Sequence, residues 1–151
     1  MELLIRLVTD RDLYPSPVAA KLAGVTIGTL DNWYRRGILK PSVAARSRGL
    51  ARLWSFADVV AMRMSQEAQR IMSPRRLARA VRYLRKRRDL RDVSRSTVLI
   101  LCGDDAYEVD VEQVSVRVSE LFTDGQTLLS VLPLGDLVHQ VQVGARALRA
   151  A

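Results

Sequence analysis

Between Tyr14 and about Arg88 the apolar residues recur every three or four positions, and after Asp89 they begin to alternate. The first period is that of a helix and the second that of a strand. Val18, Ala19, Leu22 and Ala23 make one small-residue stripe. Ile27, Leu30 and Tyr34 make a second, with Trp33 on its flank, and Leu77, Ala80, Val81 and Leu84 a third. Start signals sharpen these stripes into helices over 17–23, 27–36, 56–71 and 74–88. Ser16-Pro17 and Ser73-Pro74 each set a capping hydroxyl before a proline at the first helical position, where the missing N–H costs nothing. Thr26 can cap the second helix. Ser55 to Asp58 has the capping-box form, a carboxylate three residues after the capping serine.

The second half reads differently. Residues 96–101, "STVLIL", predict a buried strand, and Gly103-Asp104-Asp105 a turn. "YEVDV" alternates Tyr107, Val109 and Val111 with Glu108 and Asp110, and "VSVRV" alternates with its phase shifted, which implies a break near Gln113. Residues 123–126 are another turn. Leu134, Leu137, Val138 and Val141 have helical spacing and predict a terminal helix. The expectation is an α+β chain: a lead-in over 1–12, a mostly helical domain over 13–90 and a small α+β module over 96–151.

Charge separates the same two regions. Residues 1–95 hold 21 basic and 8 acidic groups, a net of +13, whereas residues 96–151 hold 3 and 8, a net of −5. A basic half beside an acidic one suggests two tasks, the first of them binding a polyanion, most often nucleic acid. The single cysteine, Cys102, lies in an apolar run and fits a reduced, cytoplasmic setting. The first residues are broken by charge too early for a signal peptide, and no apolar run reaches the roughly 20 residues of a membrane span. Cys102 and His139 are the only soft ligands, so no metal site is expected. No glycine-rich phosphate loop and no nucleophile beside a histidine point to a cofactor or to catalysis.

Gly24 to Pro41, "GVTIGTLDNWYRRGILKP", gives the basic half its specific form. Gly24 breaks the chain between two short helices, and Gly37 ends the second as a left-handed cap would. Gly28, Thr29, Asn32, Arg35 and Arg36 share its outer face, so the pair has the requirements of a helix-turn-helix. Such a helix enters a major groove about 12 Å wide. Arginine can reach a guanine edge or a phosphate, the Asn32 amide can pair with adenine, and Thr26 and Thr29 can touch a phosphate or a thymine methyl. The following "PSVAARSRGLARLWSF" places a strand on each side of an Arg-Ser-Arg-Gly tip, a β-hairpin wing. Arg46, Arg48 and Arg52 would hold the flanking backbone, while Trp54 and Phe56 anchor the core.

The order of these residues resembles the winged helix-turn-helix of the MerR superfamily. Ala19-Ala20, Leu22, Gly24-Val25, Thr29-Leu30, Trp33, Gly37-Ile38-Leu39, Pro41, Arg52, Trp54 and the "SFADVV" helix start carry the match, over about residues 13–85. The usual Arg-Tyr after Thr-Leu is Asp31-Asn32 here, so the family's contacts do not transfer at those two positions. The form with Trp33 is similar to excisionases and to the MerR-like antitoxins found beside PIN-type ribonuclease toxins. The resemblance implies a sequence-specific regulator that binds double-stranded DNA. MerR regulators continue into a long dimerisation helix, whereas this chain turns to a strand-rich module whose expected task is homodimerisation. An antitoxin would instead grip a toxin through Glu108, Asp110 and Glu112, and an excisionase-like factor would bend DNA. Between the halves, Arg75, Arg79, Arg82 and Lys86 form a cationic stripe opposite the apolar side of their helix.

Overall fold

The computed structural model describes residues 13–42, 52–70, 72–87, 89–103, 105–112 and 129–150. Strand β1 (Leu13–Pro15) leads into helices α1 (Ser16–Ala23) and α2 (Ile27–Arg35). Strand β2 (Leu53–Ser55) precedes helices α3 (Phe56–Ala68) and α4 (Pro74–Lys86). Strands β3 (Thr97–Cys102), β4 (Asp105–Asp110) and β5 (Leu129–Leu132) follow, and helix α5 (Leu134–Ala150) comes last. This is the expected α+β architecture with the helix-turn-helix at the N-terminal end. The lead-in, the wing tip with Arg46 and Arg48, and the "VSVRV" and "TDGQ" segments lie outside the described residues.

Helix α3 is the centre of the packing. Its Phe56, Val59, Val60, Met62, Met64 and Ala68 point in several directions and are all buried. Apolar side chains on several faces need cover on several faces, and α1, α4, α5 and β2 each cover part of the helix, leaving Gln66 and Glu67 exposed. Because α5 packs on both α1 and α3, one cluster of buried side chains extends from Tyr14 to Ala145. The change of hydrophobic period at Asp89 is therefore a change of element type within a shared core.

The capping reading holds at three helices and fails at one. Thr26 Oγ1 accepts from the Thr29 N–H, and Ser73 Oγ from the Arg76 N–H. Ser55 and Asp58 form the reciprocal capping box. At α1 the N-cap is Pro15 and Ser16 is already helical. The Ser16 hydroxyl accepts instead from the indole N–H of the fully buried Trp54, at 2.9 Å. That bond satisfies a buried donor that has no water to turn to, so it outcompetes a cap at the surface.

Two antiparallel sheets complete the fold. β2 pairs with β1, Tyr14 standing opposite Trp54. The other sheet has the order β4-β3-β5. Leu99, Leu101 and Leu132 lie on its inner face and belong to the core. On the other face, Ile100 stands between Tyr107 and Val131. α5 then meets the loop before β3 closely. A methyl group at Gly135 would overlap the backbone of Ser94 and Arg95.

Candidate nucleic-acid interface

Both helices of the helix-turn-helix stop in the same way. Gly24 has φ 72° and Gly37 φ 71°, a left-handed conformation that glycine adopts without a Cβ penalty. The Gly24 N–H donates to Lys21 O and the Val25 N–H to Ala20 O, at 3.2 and 3.0 Å. The Gly37 N–H donates to Tyr34 O and the Ile38 N–H to Trp33 O, at 3.1 and 3.0 Å. These crossed bonds are Schellman closures, which satisfy carbonyls that a helix end leaves unpaired. Three residues, Gly24 to Thr26, thus separate two helices with defined ends. Thr26 Oγ1 accepts from the Thr29 N–H at 3.1 Å and donates to Thr29 Oγ1 at 2.9 Å.

Helix α2 docks through Leu30 and Trp33, both buried. The expected inward face is corrected here: Ile27 is 49% exposed and Tyr34 38% exposed. A nine-residue helix touches its neighbour along a narrow stripe. Val25, packed against the core from the turn, sits just ahead of Ile27. Tyr34 finds its partner outside, under Arg52. Asn32, Arg35 and Arg36 are exposed, as is Gly28, where a Cβ would meet nothing nearer than Thr26 Oγ1 at 3.8 Å. Thr29 is half-buried and Thr26 serves the cap.

Arg52 has a more definite place than a flanking clamp. Its Nη2 is 3.1 Å from Asp31 Oδ1, and its guanidinium lies 4.2 Å from the centre of the Tyr34 ring. One arginine just ahead of β2 thereby grips two positions of α2, by an ion pair and by a cation–π contact. Asp58 supplies a second tie. Its buried carboxylate accepts from the Ser42 N–H at 3.2 Å, the Ser42 hydroxyl at 2.8 Å and the Ser55 N–H at 2.9 Å. Arg85 of α4 reaches its other oxygen at 3.4 Å. A single carboxylate thus holds both ends of the segment that carries Arg46 and Arg48. Residue spacing alone carries no sign of the Arg52–Asp31 pair, 21 positions apart, whereas the capping box does hint at Asp58.

The three carboxylates expected to face a protein partner have unlike surroundings. Glu108 takes a two-pronged ion pair from Arg87, at 2.5 and 2.9 Å. That bond raises the Arg87 pKa above its ordinary value, and burial, with Glu108 next in effect, pushes the neighbouring Tyr83 phenol up. Asp110 accepts from the hydroxyls of Ser94 and Ser96 and from the Glu112 N–H. Both are engaged within the chain, because β4 runs beside α4 and the loop before β3. Only Glu112 of the three is exposed.

A family model, that of the MerR HTH family regulatory protein, matches residues 14–72. Residues 14–72 are a MerR-type helix-turn-helix domain. The matched span runs from β1 through α3 and includes every contact of Arg52 and all those of Asp58 except the one from Arg85. The chain is also 29% identical over 124 residues to an uncharacterized HTH-type transcriptional regulator of Mycobacterium bovis. Uncharacterized HTH-type transcriptional regulators of two Mycobacterium tuberculosis strains match to the same extent. The similarity covers 81% of this chain and 53% of each relative, so the chain spans about half the length of the curated relatives it matches. It therefore continues past the MerR-type segment into the acidic half. Among the described residues no helix is long and apolar enough to cross a membrane.

Proposed function

We propose that the chain is a cytoplasmic, sequence-specific, double-stranded-DNA-binding transcription regulator that acts as a homodimer and has no catalytic role. The observation that carries this reading is the outer face of α2. Asn32, Arg35 and Arg36 are exposed there on a helix capped at both ends and opposite the buried Leu30 and Trp33. A helix of this length is about 13 Å long, which suits insertion into a major groove. Thr26, Gly28 and Thr29 bring the N-terminal turn close to the duplex, and Arg46 and Arg48 hold the flanking backbone. Arg52 contributes by bracing α2 through Asp31 and Tyr34. The HTH-type regulators among the relatives support the same reading.

The dimer is supported by the outer face of the second sheet. Tyr107, 48% exposed, and Val131, 53% exposed, flank Ile100 across three strands. Exposed apolar side chains in one cross-strand row fit a second copy better than they fit water. Two copies would present two α2 helices to a two-fold symmetric site. The antitoxin reading draws less support, since Glu108 and Asp110 already have partners within the chain.

The test is binding of the purified protein to the duplex upstream of its own gene and to a scrambled duplex, across a salt series. A strong preference for the native duplex at every salt concentration is expected. Equal and steeply salt-dependent binding to both would leave only an electrostatic grip.

A further inference from the structure

Helix α4 carries more positive charge than its packing uses, and the structure gathers that charge into a cleft. Arg75, Arg79, Arg82 and Lys86 follow one another at four, three and four residues, so they lie along one stripe about 16 Å long. They line one wall of a cleft of about 610 Å³. The opposite wall is the β3–β4 hairpin, with Leu101 and Ala106 as its apolar part and Asp105 at its edge. Tyr83, half-buried, completes the lining from α4 itself. Arg79 also donates to Gly103 O in the hairpin, which ties the two walls together. Arg75, Arg82 and Lys86 are exposed and have no ion pair among the described residues.

We infer that this cleft binds a small organic polyphosphate: two or more phosphates on a flat or apolar body. Arg75, Arg82 and Lys86 on one wall call for more than one negative charge, and guanidinium groups match phosphate geometry in particular. The volume lies within the roughly 300–1,000 Å³ usual for small-ligand sites. Ala106 and the half-buried Tyr83 ring offer apolar surface that inorganic phosphate has no use for. The concave shape disfavours a duplex, whose backbone is convex. The site is also separate from the helix-turn-helix: its walls are α4 and the hairpin, whereas α2 docks on α1. Nothing in it depends on the DNA reading.

The experiment is isothermal titration of the full chain with ATP, adenosine and tripolyphosphate. It is repeated with the double variant R75Q/R82Q, whose folding is checked by its circular dichroism and thermal midpoint. Saturable ATP binding is expected, tighter than that of tripolyphosphate, with adenosine weaker than both. The variant should keep its fold and lose about tenfold or more in ATP affinity for each guanidinium removed. Tripolyphosphate binding as tightly as ATP would overturn the assignment of the organic body. Absence of saturable binding, or equal ATP affinity in a folded variant, would overturn the site. Lys86→Gln serves as the second variant if R75Q/R82Q does not fold. A folded variant that binds ATP normally but loses affinity for random duplex would assign the stripe to DNA backbone instead.

Discussion

On the proposed reading, Asn32 and Arg48 would make two kinds of DNA contact that a bulk charge does not distinguish. Asn32 stands exposed on α2, with an amide able to pair with an adenine edge. Asn32→Ala should cost about 1–3 kcal/mol on the native duplex and little on a scrambled one. Arg48→Ala should weaken both duplexes alike and lower the slope of log affinity against log salt by about one. Fluorescence anisotropy with the two duplexes at several salt concentrations reads both. If both variants lost specific and random binding equally, the division of roles would be wrong. Arg52 belongs to neither class, because its partners are in the protein. The side chains of Arg52 and Asp31 are only part-exposed, at 27% and 32%, so the pair should couple by about 0.5–1 kcal/mol. A double-mutant cycle of Arg52→Ala and Asp31→Ala on DNA affinity checks this; full additivity would deny Arg52 its positioning role. That role was hidden from a helical wheel, which has no view of a residue 21 positions away.

Among the elements, the helices were legible and their partners less so. Caps and stops are local chemistry: Thr26, Ser55, Ser73, Gly24 and Gly37 act on groups within a few residues, so a single sequence displays them. Ser16 shows the limit, since its cap was displaced by the indole of Trp54, 38 positions on. Ile27 and Tyr34 show another, because a wheel gives angular position but not how much of a short helix its neighbour covers. The reach of α5 is a third. Its apolar spacing predicted a helix, while its seat against α1 and α3 came only with the fold. Gly135 marks that seat, since any Cβ there meets the backbone of Ser94 and Arg95. Backbone cannot rotate aside as a side chain can, so Gly135→Ala should destabilise the chain by about 3 kcal/mol, the upper end of overpacking costs. Urea unfolding measures it. A change under about 0.5 kcal/mol, the range of neutral surface substitutions, would show that the loop before β3 yields freely.

At the scale of the whole molecule, one basic recognition helix gives little specificity by itself, and a second copy is the ordinary remedy. The two halves of opposite charge then have a shared logic. On the proposed reading the basic half would meet DNA, and the acidic half would lower the net charge that two such chains carry as they approach. The exposed Tyr107 and Val131, on either side of the buried Ile100, would supply the attraction. Val131 is the position to test, since it is exposed and so its replacement leaves the core untouched. A carboxylate at the centre of a buried interface lacks both water and a partner, so Val131→Glu should weaken self-association by at least about tenfold. Sedimentation equilibrium over a range of concentrations reads this directly, with thermal unfolding as the check that each chain still folds. The DNA measurement completes the argument. A monomeric variant should bind a duplex with one half-site as the parent does, yet lose the parent's advantage on the full symmetric site. A dimer that survives Val131→Glu would move the interface away from this sheet, and a parent that is monomeric at all concentrations would remove the symmetric-site reading altogether.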